Sequence, residues 1–203
     1  MTISATTQGL RPGVCTSTNR PASPFEGQVI YETDTDLVKA WNGSSWVTVG
    51  PTTQVGKVLQ VVSTTKTDTF STTSTTLVDI TGLSATITPS ATSSLVLITF
   101  NVTADGPQSS GIALLRGSTK IGAGATAGSR PALSTVTIYQ TSDRPAVQSF
   151  TFLDSPATTS ATTYKLQTYT STGTMYVNRT VTDTDNNLYG RGASTITVME
   201  IAQ

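Results

Sequence analysis

Of the chain's 203 residues, 43 are Thr and 23 are Ser, whereas only 12% are charged, with 12 basic residues balancing 12 acidic ones. That balance provides no basic stripe to neutralise phosphates, which excludes nucleic acid as a partner, and the length is enough for one full-sized core plus a smaller appendage. Histidine is absent, which removes the commonest general base, the triads built on it and the most frequent metal ligand.

Residues 1–24 are rich in Thr, Ser, Pro and Gly, have little apolar surface to bury, and read as an extended N-terminal arm. Within residues 25–50, Gln28 to Thr33 alternates as a strand should, Leu37 to Trp41 forms a second strand, Asn42-Gly43 signals a hairpin, and Ser45 to Val49 forms a third. Such a small β-meander is marginal alone in water. Its aromatic residues Tyr31, Trp41 and Trp46 are therefore candidates for packing in the meander or docking on a partner, with stacking on sugars as the competing use. Gly50-Pro51 breaks the pattern, and residues 51–55 read as a linker.

From residue 56 to 203 short β-type runs recur between turn residues without helical periodicity, at 57–63, 76–80, 84–88, 94–103, 111–116, 134–140, 146–153, 162–169, 174–178 and 193–202. Strands of this number and spacing predict an all-β chain whose C-terminal part is a jelly-roll-like β-sandwich. Tyr164, Leu166 and Thr168 fall on one face, as do Phe150 and Phe152. The run from Leu95 to Phe100 is apolar on both faces, and so is the last strand, with Ile196 and Val198 on one side and Met199 and Ile201 on the other. Val96, Ile98, Phe100, Ile196, Val198, Met199 and Ile201 are accordingly candidates for the core or for a subunit interface. Glu200, on the face of Ile196 and Val198, needs a buried partner such as an Arg or a Thr hydroxyl.

Candidate chemistry is sparse. Cys15 is the sole cysteine, so no intrachain disulfide forms, and without an imidazole it reads as an inert thiol. The twelve acids stand mostly as singletons at turns, with no spacing that argues for a glycosidase pair. Asp183-Thr184-Asp185-Asn186-Asn187 fails as a cation loop, because Leu188 stands where the sharp-turn glycine belongs and Ser194 where the bidentate acid belongs. The glycine-rich run 122–128 lacks the strand-to-helix setting of a phosphate cradle. No catalytic residue, metal ligand or cofactor is expected. Recognition falls to polar loops, with Asp105, Gln108, Asp185 and Asn187 as contact candidates. No apolar run approaches the roughly 18 residues that span a bilayer, and the first residues lack the blocks of a secretion signal. The expectation is a soluble chain made in a cytoplasm, with no membrane insertion.

The pattern Arg20-Pro21, Pro24, Gly27, Tyr31, Thr33-Asp34-Thr35, Trp41-Asn42-Gly43-Ser44 and Trp46 resembles a segment that recurs in tail-fibre, tail-spike and other virion proteins of tailed bacteriophages. Over 76–203, Val78 to Leu83, Ile87-Thr88-Pro89, Ser94 to Ile98, Phe152-Leu153-Asp154, Tyr164, Asn178-Arg179 and Gly192 to Ile201 resemble phage structural domains similar to C1q and tumour-necrosis-factor jelly rolls, which trimerise. The resemblance implies a non-enzymatic virion protein assembled in the host cytoplasm. It implies a homotrimer held to other virion proteins by its N-terminal region, with a host surface glycan or protein as a further partner. A short tail fibre or tail-tip knob serving host adsorption is the leading form, and a head decoration or cement protein is the alternative. Only the linker separates the two parts, so no long shaft is expected.

Overall fold

Alternating burial runs through the strands of the computed structural model, which describes residues 12–50, 55–107, 110–136 and 143–203. The protein is all-β, with no helix among the described residues. Contacts divide it into two compact units, Met1–Gln54 and Val55–Gln203.

The first unit is a four-stranded sheet in the order β1 (Gly13–Cys15), β2 (Val29–Glu32), β3 (Leu37–Trp41) and β4 (Trp46–Thr48). The meander read from the sequence thus gains a strand from within the arm, β1, which lies parallel to β2. The hairpin after β3 is longer than Asn42-Gly43 alone: the Asn42 side-chain oxygen accepts hydrogen bonds from the amides of Ser44 (3.0 Å) and Ser45 (2.8 Å), and Gly43 takes a φ of 95° that a side chain would resist. Trp41 and Trp46 close this turn as directly paired residues, their rings edge to face at 5.6 Å.

The second unit stacks two sheets. One has the order β5 (Val58–Lys66), β15 (Ser194–Ile201), β8 (Leu95–Asp105), β12 (Ala146–Asp154), and β14 (Met175–Val177) with β6 (Phe70–Thr72) continues it beyond the end of β15. The other has the order β7 (Val78–Ile87), β13 (Thr162–Thr170), β9 (Ser110–Arg116), β10 (Thr119–Ile121), with β11 (Thr135–Val136) beside β9. The chain passes from sheet to sheet between β6 and β7, β7 and β8, β8 and β9, β11 and β12, β12 and β13, and β13 and β14, the path of a jelly-roll-like sandwich.

The inward faces meet in one core. Ile80, Leu83, Ile87, Leu114, Tyr164 and Leu166 come from one sheet, and Val96, Ile98, Phe100, Val102, Ile196 and Val198 from the other, all buried. Each such side chain contributes about 1.5–3 kcal/mol relative to exposure. The runs 76–80 and 84–88 are a single strand. Asp79 lies opposite Gln167 and Ser84 opposite Lys165, so β7 bulges at Gly82, whose φ is 85°. The bulge turns both Ile80 and Leu83 inward although they are three residues apart. Strands β6 and β10, three residues each, are too short to give a periodic signal. Of the run 134–140, β11 is described and residues 137–140 lie outside the described residues.

Candidate functional site

With one face of the β5–β15–β8–β12 sheet given over to the core, its other face carries what remains. Pairing places Leu153 beside Leu97, Leu97 beside Met199, and Met199 beside Val61, a row of four apolar side chains across four strands. A second row, Leu95, Ile201 and Val58, lies next to it. Val61 is 56% exposed, Leu153 51% and Val58 46%, while Leu95, Leu97, Met199 and Ile201 are half-buried. With strands about 4.8 Å apart, the four-membered row spans about 14 Å. Beyond it the face turns polar: Thr151, Thr99, Thr197 and Ser63 form the next row, with Ser63 and Thr197 hydroxyls 2.8 Å apart, followed by Ser149, Asn101, Thr195 and Thr65. Val96, Ile98, Phe100, Ile196 and Val198 point into the core, and Met199 and Ile201 point to the outer face.

Glu200 anchors the apolar end from inside. Its fully buried carboxylate accepts hydrogen bonds from Gln60 Nε2 (2.6 Å), the Ser90 amide (2.6 Å) and hydroxyl (2.6 Å), and the Ser94 hydroxyl (2.7 Å). Burial works against ionisation, but the hydrogen bonds from Gln60, Ser90 and Ser94 outweigh it and hold the carboxyl down to about 2. The partner that Glu200 requires is therefore a set of serine and amide donors, not an Arg or a Thr. Together they tie the end of β15 to β5 and to the turn entering β8.

A second polar tie bridges the sheets. The Tyr164 hydroxyl donates to Asp154 at 2.7 Å, and Arg116 Nη1 reaches the same carboxylate at 2.9 and 3.0 Å. Burial, and then the neighbouring carboxylate, push the Tyr164 phenol well above its ordinary range. Tyr164→Phe should lower stability by about 1–2 kcal/mol, because Asp154 keeps its Arg116 contacts, and the melting temperature should fall by about 2–8 °C in calorimetry. A third tie centres on buried Asn178, whose amide donates to the carbonyls of Lys66 (2.9 Å) and Asp68 (3.0 Å) and whose oxygen accepts from Ser194.

The recognition-loop candidates separate. Asp105 is no loop residue, because β8 runs on to include it: it is 1% exposed and accepts the Val181 amide at 3.2 Å, with burial pushing its carboxyl up. Gln108 lies outside the described residues. Asp185 and Asn187 are exposed in the loop after β14, where Arg191 holds Asp183 at 2.9 Å and Arg179 lies over the Tyr176 ring at 4.7 Å. Among the described residues no group of three His, Cys, Asp or Glu side chains could hold a metal, and no helix is long and apolar enough to cross a membrane.

In the first unit, register separates the docking candidates. Tyr31 pairs with Val38 and shares a face with Val14, Val29, Ala40 and Val47, whereas Trp41 and Trp46 lie on the opposite face with Ile30 and Glu32. Tyr31 donates to Asp36 at 2.7 Å, and buried Glu32 is paired with Arg20 and accepts from Thr35 at 2.8 Å. The face that stays open is aliphatic: Val14 is 49% exposed, Val29 43% and Val47 41%.

No family model matches the chain, and no curated protein sequence matches it. Among solved structures it is similar to the infectious bursal disease virus VP2 subviral particle (TM-score 0.39, 15% identity, covering 84% of this chain and 47% of that one). It is also similar to T=1 particles derived from that virus (0.37, 17%, 89% and 44%) and to the structure of its Gx strain (0.36, 17%, 91% and 48%). The chain spans about half the length of each. Likenesses this distant do not bear on what the chain does.

Proposed function

We propose that the chain is a non-enzymatic structural protein of a tailed-bacteriophage virion, a homotrimer in which residues 56–203 form a knob and residues 1–50 attach it to another virion protein. The observation that carries this reading is the pair of apolar rows on the outer face of a sheet whose inner face is already filled. Apolar surface arranged contiguously on a sheet is satisfied by another protein surface, and sister copies supply one at no further requirement. The open face of the first unit, which Tyr31 shares with Val14, Val29 and Val47, gives the attachment segment its contact area, with Trp41 and Trp46 on the opposite face. The virion setting is supported by the resemblance of residues 20–46 and 76–203 to phage virion proteins.

Within that reading the leading role is a short tail fibre or tail-tip knob that contributes to host adsorption, since the linker 51–55 leaves no shaft between the two parts. A head decoration or cement protein is the alternative. Copy number in purified particles, measured by quantitative mass spectrometry, separates them: a handful of trimers is expected for the knob, and hundreds of copies would assign the chain to the head. Absence from purified particles would overturn the virion role, and release of reducing sugar from host glycans would overturn the non-enzymatic one.

A further inference from the structure

The outer face of the other sheet carries a different kind of site. Strand β11 lies so close over β9 that a Cβ on Gly111 would stand 2.4 Å from the Thr135 carbonyl oxygen, so the approach depends on that glycine. Beside this crossing, where the chain of residues 122–134 returns over the sheet, there is a cavity of about 530 Å³. Its size falls within the roughly 300–1,000 Å³ of small-molecule sites. Tyr169, Leu133 and Val136 give it an apolar wall, and Arg130, Ser129 and Ser171 line it with polar groups.

Three features of this lining select a ligand chemistry. Tyr169 packs against the small cluster of Ala113, Leu115 and Leu133, which fixes its ring, and burial pushes its phenol up. Arg130 closes a tight turn in which its amide donates to the Ala127 carbonyl at 3.2 Å, with Gly128 at a φ of 62°, so its backbone is set while its side chain is exposed. Among the described residues its guanidinium faces no carboxylate, as is true also of Arg144, whereas Arg20, Arg116, Arg179 and Arg191 are all in ion pairs. The serine hydroxyls can each donate and accept, as sugar hydroxyls require.

We infer that this cavity binds a carboxylated pyranose, the hexuronic-acid class of glycan unit. The C–H face of the sugar lies on Tyr169 and Leu133, its carboxylate meets Arg130 in a charge-assisted pair, and its ring hydroxyls bond to Ser129 and Ser171. A neutral sugar would gain only a weaker hydrogen bond from the exposed Arg130 guanidinium, and a simple anion would leave the apolar wall uncovered. The inference deepens the adsorption role and rests on it for its biological setting, but binding is a property of the isolated protein.

Saturation-transfer NMR on the full chain tests it, with methyl β-glucuronide and methyl β-glucoside as probes. The glucuronide is expected to bind with a dissociation constant on the order of 1 mM and the glucoside at least about tenfold more weakly. Arg130→Gln, at an exposed position, should leave the thermal melt unchanged and weaken the glucuronide about tenfold, and Tyr169→Leu should abolish transfer to the sugar's C–H face. No transfer from the glucuronide, equal binding of both probes, or an unaltered Arg130→Gln would each overturn the site. Such a failure leaves the virion role standing if the chain is present in purified particles, whereas sugar binding by a chain absent from particles would keep the site and remove the role.

Discussion

Replacing Glu200 by alanine is expected to lower the unfolding free energy by about 3 kcal/mol, measured as a shift of the urea midpoint at neutral pH. The substitution strands the buried Ser94 hydroxyl, removes the acceptor of Ser90 and Gln60, and opens a hole beneath the row of Met199 and Leu97. Glu200→Gln keeps the shape but turns an amide donor towards donors, and should cost about 1.5–3 kcal/mol. The pH dependence distinguishes charge from packing. The folded carboxyl is held at about 2 against an ordinary 4.5, so the stability it confers is complete above about 4.5 and is lost as pH falls towards 2. The gap between the wild-type and Glu200→Gln midpoints should therefore be widest at neutral pH and close across that window. A gap that stays constant down to pH 2 would show that the carboxylate charge contributes nothing.

Glu200 also shows what one sequence can and cannot disclose. Its neighbours Ile196 and Val198 mark its face as buried, so the need for partners is legible. The partners themselves come from Gln60, Ser90 and Ser94, brought in by the sandwich topology and invisible to periodicity. The same division holds for the strands. Period-two alternation at 146–153, 162–169 and 193–202 marks strands that the structure contains, with inward faces in agreement. Thr81-Gly82 carries a turn signal that the structure uses as a bulge inside β7, because Ile80 and Leu83 both gain core contacts that way. Gly106-Pro107 after Asp105 signals a loop, yet the Asp105 backbone pairs with Tyr176 of β14 and so stays in the sheet. Tyr31, Trp41 and Trp46 belong together by composition, and only the pairing of Tyr31 with Val38 and of Trp41 with Trp46 reveals their opposite faces. The cavity beside Tyr169 had no signal in its own segment, since its wall joins residues from β13 and from the chain leading into β11.

If the proposed trimer is built on this face, a charge placed in the apolar rows should dissociate it while sparing the subunit. Val61 and Leu153, at the two ends of the four-membered row, are the most exposed of its members, so Val61→Asp with Leu153→Asp removes few contacts within one chain. In a trimer that covers this face each aspartate would be desolvated without a cation opposite it, at a cost of several kcal/mol per ion. That exceeds what the lost apolar area would have contributed at about 25 cal/mol per Å². Light scattering should then show the molar mass falling to one third of the wild-type value, with far-UV circular dichroism unchanged. Thr86→Asp, exposed on β7 of the other sheet, should leave the mass as it is. A specific interface needs roughly 1,000 Å² of buried surface, which the two apolar rows reach only together with the flanking Thr and Ser rows. The hydroxyl rows should therefore be covered too, and Thr99→Asp should weaken the proposed trimer even though it belongs to neither apolar row. A wild-type chain that is monomeric, or a double aspartate variant that stays trimeric, would remove self-association from the outer face of this sheet and leave its apolar rows to a different protein.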